Sequence, residues 1–194
     1  MKKSFFMQDS SRSNYGYEAM LDYQISWLLR LSAQTEAKNE KLHEIARNVL
    51  FKLIEKENDS EVKINRVEVW KQWERIDLTA EIELEVNNQT ERHLVVIENK
   101  AYTLIHNEQL KRYADTVNEY YRDKGSNSYK KHFWVISFFD RDENSFKSLQ
   151  KQCDDCKVVK WELLSFYDVI GWEEGEFPDT ESDLFDEFWL REWC

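Results

Sequence analysis

The sequence predicts an α/β fold built on a mixed β-sheet that is flanked by helices. Two stretches with helical periodicity are followed by three segments rich in β-branched and aromatic residues. Strand-like and helical segments then alternate, which is typical of parallel strands that are covered by helices on both faces. Only 4 Gly and 1 Pro interrupt the 194 residues, so long regular elements are favoured over many tight turns. The predicted order is ααβββαβαβ, followed by a C-terminal helix.

The two N-terminal helices are predicted from apolar residues that recur at spacings of three and four. One helix is expected at residues 17–31 and a longer one at about residues 35–57, each with one buried stripe. The apolar residues of these stripes are Met20, Leu21, Ile25, Leu28 and Leu29 in the first helix, and Leu42, Ile45, Ala46, Val49, Leu50, Leu53 and Ile54 in the second.

Three strands are expected next, at residues 62–73, 75–86 and 92–100. The segment NNQT between the last two is a favourable turn sequence, so these two strands are predicted to form an antiparallel hairpin. The remaining predicted elements are a helix at 104–121 closed by Gly125, a strand at 132–139, a short helix at 143–152, a strand at 156–164 and an acidic C-terminal helix at 181–194.

Length and composition indicate a single domain spanning residues 1–194. No apolar stretch approaches the roughly 20 residues that a membrane-spanning helix needs, and the first residues lack the apolar region of a signal peptide. Three cysteines fit a reducing compartment, so we expect a cytoplasmic protein that does not bind a membrane. Cys153 and Cys156 have the spacing of half a zinc site, but no matching half follows, and we expect them in a loop or at a strand edge.

The net charge of -11 argues against an extended surface for binding phosphates. The acidic residues are concentrated at the C-terminal end, where residues 171–194 contain nine acids and one base, so the rest of the chain carries only -3. A nearly neutral body could still hold a basic groove, although solvated surface positions explain the same residues equally well. The candidates for the groove are Lys111, Arg112, Arg122, Lys124, Lys130 and Lys131.

The segment LVVIENK at residues 94–100 is the most informative part of the chain. A buried strand runs directly into Glu98 and Lys100, and strand alternation places these two side chains on one face. Asp77 lies in the neighbouring strand, and the hairpin brings Asp77 and Glu98 to the same end. Two carboxylates beside an ammonium group suit a magnesium-dependent hydrolysis of phosphodiesters. An ion pair at the sheet edge is the alternative interpretation.

The order Asp77, then Glu98-Asn99-Lys100, resembles the D…E-x-K signature of the PD-(D/E)XK nuclease superfamily, which has a restriction-endonuclease-like αβββαβ core. The sequence IENK followed by Gln109-Leu110 and Tyr113 is similar to the IENK…QL…Y pattern of one branch of that superfamily. In the first helix, Glu18 and the segment ISWLL at residues 25–29 resemble the E…LAWLL segment of the same branch.

This resemblance implies a nuclease that binds Mg²⁺, or Mn²⁺, through Asp77 and Glu98. It implies that Lys100 positions or activates water and that Glu18 and Gln109 assist. The expected substrate is nucleic acid, DNA rather than RNA. Two departures from the pattern are visible: Leu21-Asp22 stands where the branch usually has His-Ser, and Arg75-Ile76 replaces the proline of the superfamily name.

Two other functions stay open at this point. The chain could be a nuclease-like binding module without activity that acts through a protein partner, because the acidic C-terminal segment suits a basic partner. Alternatively, this segment could mimic nucleic acid and shield the groove. The four histidines do not have the spacing of a metal site and are expected to be structural, with His106 close enough in sequence to Lys100 to approach the site. They are His43, His93, His106 and His132.

Overall fold

A five-stranded mixed sheet forms the centre of the molecule, with the strands in the order β1-β2-β3-β4-β5. The computed structural model describes residues 16–106, 108–123, 129–171 and 179–191. The elements are α1 (Tyr17–Leu31), α2 (Glu40–Leu53), β1 (Lys63–Trp73), β2 (Ile76–Val86), β3 (Gln89–Lys100), α3 (Gln109–Asp123), β4 (Tyr129–Ser137), α4 (Asn144–Asp155), β5 (Glu162–Ser165), α5 (Phe166–Ile170) and α6 (Asp183–Trp189). The predicted α/β fold with a mixed sheet and flanking helices is therefore confirmed.

The first three strands are antiparallel, whereas β3 pairs with β4 and β4 with β5 in parallel. Strands β2 and β3 are joined by a two-residue turn at Asn87 and Asn88, whose φ values are 51° and 60°. Asparagine tolerates this left-handed conformation, and two such residues give the turn that matches the twist of a hairpin. The hairpin predicted at NNQT is thus confirmed.

Each face of the sheet carries its own apolar cluster. Along β3, Val95 and Ile97 point into a cluster formed with α1, α2, α5 and α6. The intervening residues Leu94 and Val96 point into a second cluster formed with α3 and α4. We refer to these two sides as the α1 face and the α3 face. Because both are covered, β3 is buried over most of its length, as a nearly continuous apolar run predicts.

Helix α6 packs against the α1 face. Its side chains Phe185, Phe188 and Trp189 are fully buried there, while Leu184 is half exposed. The predicted C-terminal helix exists, but it spans a shorter range than 181–194, and residues 192–194 lie outside the described part. Between residues 179 and 191, the acidic segment is therefore anchored to the side of the sheet opposite α3.

Two predicted helix starts were wrong for identifiable physical reasons. Helix α2 begins at Glu40, where the Asn39 side chain caps it by accepting a 2.9 Å hydrogen bond from the Leu42 backbone. Helix α3 begins at Gln109 and not at residue 104, because Ile105 is held in an extended segment by two hydrogen bonds to the Gln152 side chain. The predicted closure at Gly125 lies outside the described residues.

The region after β4 differs most from the prediction. Strand β5 covers only Glu162–Ser165, since Trp161 is buried against Phe133 with ring centroids 5.1 Å apart and packs without strand pairing. Cys153 is buried inside α4, so its predicted place in a loop or at a strand edge was wrong. Cys156 follows α4 as its C-cap and lies outside any helix or strand, as the loop prediction expected. The short helix α5, which has a capping box at Ser165 and Asp168, was not predicted.

Candidate active site

The β2–β3 hairpin brings Asp77 and Glu98 together. The register pairs Leu78 with Ile97, and one step further along the same register places Asp77 opposite Glu98. Opposite residues of an antiparallel pair share a face, so both carboxylates lie on the α3 face. The Asn99 backbone N–H donates a 2.8 Å hydrogen bond to Asp77 Oδ2, and Gln72 Nε2 donates a 3.0 Å bond to Asp77 Oδ1.

Lys100 joins this pair from the same strand. Its Nζ forms an ion pair with Glu98 Oε1, and both side chains are almost completely buried. An isolated buried charge would be costly, and the ion pair removes part of that cost. The predicted convergence of two carboxylates and an ammonium group at one end of the hairpin is therefore present in the geometry.

Helix α3 supports the Glu98 carboxylate through Gln109, the first residue of the helix. Gln109 Nε2 donates to Glu98 Oε1, the same oxygen that Lys100 contacts. Gln109 Nε2 also donates a 2.9 Å hydrogen bond to the Tyr113 hydroxyl. That hydroxyl in turn donates a 2.6 Å hydrogen bond to the Arg75 carbonyl. The residues QL…Y of the sequence pattern thus connect α3 to the hairpin at the site.

The second oxygen of Glu98 has a different environment. Glu98 Oε2 is buried and has no hydrogen-bond partner among the described residues. Burial and the neighbouring charge of Asp77 raise the pKa of Glu98 to about 8, and Lys100 offsets only part of this effect. Burial alone would lower the pKa of Lys100, but the Glu98 carboxylate outweighs it and the pKa is raised. A buried, unpartnered carboxylate oxygen of this kind is suited to bind a cation.

Glu18 reaches the same end of β3 from helix α1. Its Oε1 accepts hydrogen bonds from the Ala101 backbone at 3.1 Å and from the Thr103 hydroxyl at 3.2 Å. Its charge also favours the protonated form of Lys100. Glu18 therefore holds the segment that leaves β3, next to Lys100, and does not contact Glu98 through any of these bonds.

Asp22 is a site residue that the sequence analysis did not select. It lies one helical turn after Glu18 and accepts a hydrogen bond from Asn99 Nδ2. Burial and the charge of Asp77 raise the pKa of Asp22 to about 7. The spacing of four residues from Glu18 was the available signal, but Asp22 had been noted only as a departure from the His-Ser pattern.

The carboxylate oxygens at this site fit a divalent cation that takes few of its ligands from the protein. Within the part of the chain that the structure describes, no group of three or more His, Cys, Asp or Glu side chains is arranged as a metal cage. Magnesium is commonly held by one or two carboxylates, with water and substrate phosphate completing the shell. Asp77 and the free oxygen of Glu98 meet that requirement.

The basic candidates do not form one groove. Lys111 and Arg112 are exposed on the first turn of α3, close to Gln109. Lys130 and Lys131 lie at the start of β4, which is the opposite end of the sheet from Lys100, and bond to Glu91 and Asn118. Arg122 is exposed at the end of α3, and Lys124 lies outside the described residues.

Two of the four histidines contact each other in the fold. His93 and His132 stack with ring centroids 5.3 Å apart, and their Nδ1 and Nε2 atoms are 3.1 Å apart. Glu91 and Glu55 contact the two outer ring nitrogens. This row of contacts forms only because β3 pairs with β4, so the spacing of these residues in the sequence could not reveal it. His106 approaches the site through its backbone N–H, which donates to Gln109 Oε1 at 3.4 Å.

Comparisons with known proteins agree with this geometry. A family model described as the PD-(D/E)XK nuclease superfamily matches residues 15–194. Comparison with curated proteins and with solved structures gave no significant match. None of the helices in the described ranges has the length and apolar character needed to cross a membrane. The match covers nearly the whole chain, and the mixed sheet with flanking helices agrees with a restriction-endonuclease-like fold, so the chain belongs to the PD-(D/E)XK nuclease superfamily.

Proposed function

We propose that this chain is a metal-dependent nuclease that hydrolyses phosphodiester bonds. One observation carries the proposal: the buried and unpartnered Oε2 of Glu98 lies beside the Asp77 carboxylate, with Lys100 bound to the other oxygen. Leaving this oxygen unpaired is unfavourable, and a bound cation would satisfy it. Membership of the superfamily supports the same function.

Asp77 and Glu98 would hold Mg²⁺, or Mn²⁺ in its place. When bound, the ion supplies Lewis-acid polarisation of a phosphoryl oxygen and makes water more acidic. Asp77 is oriented for this role by the Asn99 backbone and Gln72, and Glu98 is oriented by Gln109. Such preorganisation limits the movement needed when substrate binds.

Lys100 would orient water or stabilise negative charge that develops on the phosphate. Its ammonium group lies in the same buried cluster, where it acts more strongly than it would in bulk water. Glu18 would act indirectly, because it fixes the backbone that follows Lys100 and keeps a negative charge near it. We expect nucleic acid as the substrate, DNA rather than RNA.

Cleavage of labelled nucleic acids tests the proposal. The substrates are single- and double-stranded DNA and RNA, each with Mg²⁺ or Mn²⁺. The wild-type protein is expected to cut at least one of them, while Asp77→Ala and Glu98→Ala abolish cutting and weaken metal binding together. Asp142→Ala and Glu57→Ala, which alter exposed acids, are matched controls that should keep activity.

An inactive binding module is the alternative, and the same assay distinguishes it. If the wild-type protein cuts no substrate and its metal titration shows no dependence on Asp77, a partner-binding role replaces the nuclease. Deleting residues 171–194 would not be a suitable way to expose the site. The deletion would remove Phe185, Phe188 and Trp189 from the core on the α1 face.

A further inference from the structure

A cleft with aromatic walls opens on the α3 face beside the proposed active site. It has a volume of about 160 Å³ and is lined by Trp70, Trp73, Thr79, Glu81, Tyr120 and Tyr121. Strands β1 and β2 form its floor, and helix α3 contributes the two tyrosines. None of these six residues belongs to the metal-binding or catalytic set proposed above.

The cleft continues directly from Asp77. Thr79 and Glu81 are two and four residues along β2 from Asp77, so strand alternation places all three on one face. Trp70 pairs with Thr79 in the β1–β2 register and therefore projects from the same face. Two residues of a strand span about 6.8 Å, which sets the separation between the backbone positions of Asp77 and Thr79.

The aromatic walls are partly open to solvent, and two of them pack against each other. Trp70 and Tyr120 are each 38% exposed, and they are two of the three aromatic side chains that are more than a third exposed in the described ranges. Trp73 packs edge-on against Tyr120 with ring centroids 4.8 Å apart. Exposed aromatic surface next to an active site can stack against a flat ligand.

The floor of the cleft carries polar groups of two kinds. Thr79 is 1% exposed, and its Oγ1 is buried without a hydrogen-bond partner among the described residues. The Glu81 carboxylate is held by the hydroxyl groups of Tyr121 at 2.7 Å and Tyr129 at 3.0 Å. An unpartnered buried hydroxyl costs free energy, which a ligand with a donor or acceptor on its edge would recover.

We propose that this cleft binds an unpaired nucleobase of the nucleic acid whose phosphodiester is cut at Asp77 and Glu98, and that the preferred substrate is single-stranded or locally unpaired. This inference rests on the nuclease function proposed above. A nucleobase combines a flat face with polar edge groups, which matches aromatic walls and a floor that carries Thr79 and Glu81. A base within a duplex is paired and stacked, so its face cannot enter a cleft of this kind.

The charge distribution favours stacking as the source of affinity. The chain has a net charge of -11, and the basic residues considered for a groove are divided between opposite ends of the sheet. Binding that relied mainly on the phosphate backbone would need a continuous basic surface. Stacking of bases on aromatic side chains supplies affinity without such a surface.

Binding measurements with a short fluorescein-labelled single-stranded DNA, made by anisotropy without divalent ions, test the proposal. Trp70→Ala and Tyr120→Ala are expected to weaken binding about 5- to 100-fold, the range of one lost stacking contact. Trp70→Phe should keep most of the affinity. Tyr23→Ala is the matched control, since Tyr23 is an exposed aromatic residue of α1 outside the cleft and should bind like the wild type. Circular dichroism verifies that each variant is folded.

A scan of abasic positions identifies the base that occupies the cleft. Oligonucleotides that lack one base at a time should show one position where base removal weakens binding to the wild-type protein but not to Trp70→Ala. Equal binding and cleavage by Trp70→Ala, Tyr120→Ala and Tyr23→Ala, with no sensitive position, would overturn the inference while the nuclease function stands. If the wild-type protein neither binds nor cuts any nucleic acid, the nuclease function fails first and the inference fails with it.

Discussion

Gln109 on α3 and Lys100 on β3 both contact the same oxygen of Glu98, Oε1. This sharing leaves Oε2 without a partner among the described residues, on the carboxylate that faces Asp77. One oxygen of Glu98 is thus used to hold the side chain in place, and the other is kept available.

Loss of Gln109 should loosen Glu98 without removing a proposed metal ligand. Gln109→Ala is expected to weaken Mg²⁺ binding or lower the cleavage rate by about 10- to 100-fold, the usual effect of losing a group that orients a ligand. Calorimetric titration and single-turnover cleavage measure the two effects. Gln34→Ala, at an exposed position, is the control. Wild-type values for Gln109→Ala would contradict the positioning role.

Lys100→Ala should affect metal binding and catalysis differently. Lys100 opposes the effects that hold the pKa of Glu98 at about 8, so its removal raises that pKa further. A larger share of the Glu98 side chains is then protonated at about pH 7, and Mg²⁺ must displace that proton in order to bind. We therefore expect weaker Mg²⁺ binding at about pH 7, which recovers at about pH 9. Cleavage should stay about 10²-fold slower even at saturating metal. Mg²⁺ titrations at both pH values test this prediction, and Lys63→Ala, at an exposed position, is the control. A loss of Mg²⁺ binding that is equal at both pH values would argue against the prediction.

Glu98 should make the metal-free protein less stable as the pH rises. Its pKa is raised to about 8 in the folded state from an ordinary value of 4.5, so the folded state binds more protons than the unfolded state between these values. The unfolding free energy should therefore fall as the pH increases from about 4.5 to 8. Glu98→Gln should remove this slope and stabilise the metal-free protein at about pH 8, on the order of 1–3 kcal/mol.

Urea unfolding in the presence of a chelator measures this effect for the wild type, Glu98→Gln and the exposed control Glu57→Gln. Saturating Mg²⁺ should reverse the order at about pH 8, because only the wild type gains stability from the ion. A Glu98→Gln variant that is less stable than the wild type at that pH without metal would show that the ion pair with Lys100 is the main role of Glu98.

His93, which is buried beside His132, should give the unfolding free energy the opposite dependence on pH at lower pH. Burial and the neighbouring His132 lower the pKa of His93 to about 4, whereas the unfolded chain protonates it near 6.5. Unfolding thus takes up a proton in this window, and the unfolding free energy should fall as the pH decreases from about 6.5 to 4, by about 2–3 kcal/mol. His93→Gln should flatten the slope in urea titrations, and His43→Gln should not. An unchanged slope in His93→Gln would assign the acid sensitivity to other groups.

Local signals were sufficient to predict the hairpin and the residues placed at its end. Alternation along β3 put Glu98 and Lys100 on one face, and the NNQT turn fixed the register that sets Asp77 opposite Glu98. Helix α1 was predicted with the bounds observed, since its apolar stripe begins and ends clearly. These features depend on residues that are close in sequence.

The features that were missed depend on contacts between distant residues. Asp22 enters the site because Asn99 bonds to it across the α1 face, and the histidine pair forms only when β4 lies parallel to β3. Trp161 looked like part of a strand because it is apolar and aromatic, but it is used for packing against Phe133. Residue type alone does not distinguish these uses of a buried side chain.

The most direct test of the central claim is the location of a divalent ion in crystals soaked with Mn²⁺, by its anomalous scattering. The nuclease proposal predicts a peak within about 2.0–2.6 Å of Glu98 Oε2 and of an Asp77 oxygen. It also predicts that the peak disappears in Glu98→Ala. Absence of any peak at saturating Mn²⁺, with Lys100 still paired to Glu98, would contradict the claim that this hairpin end is a metal centre.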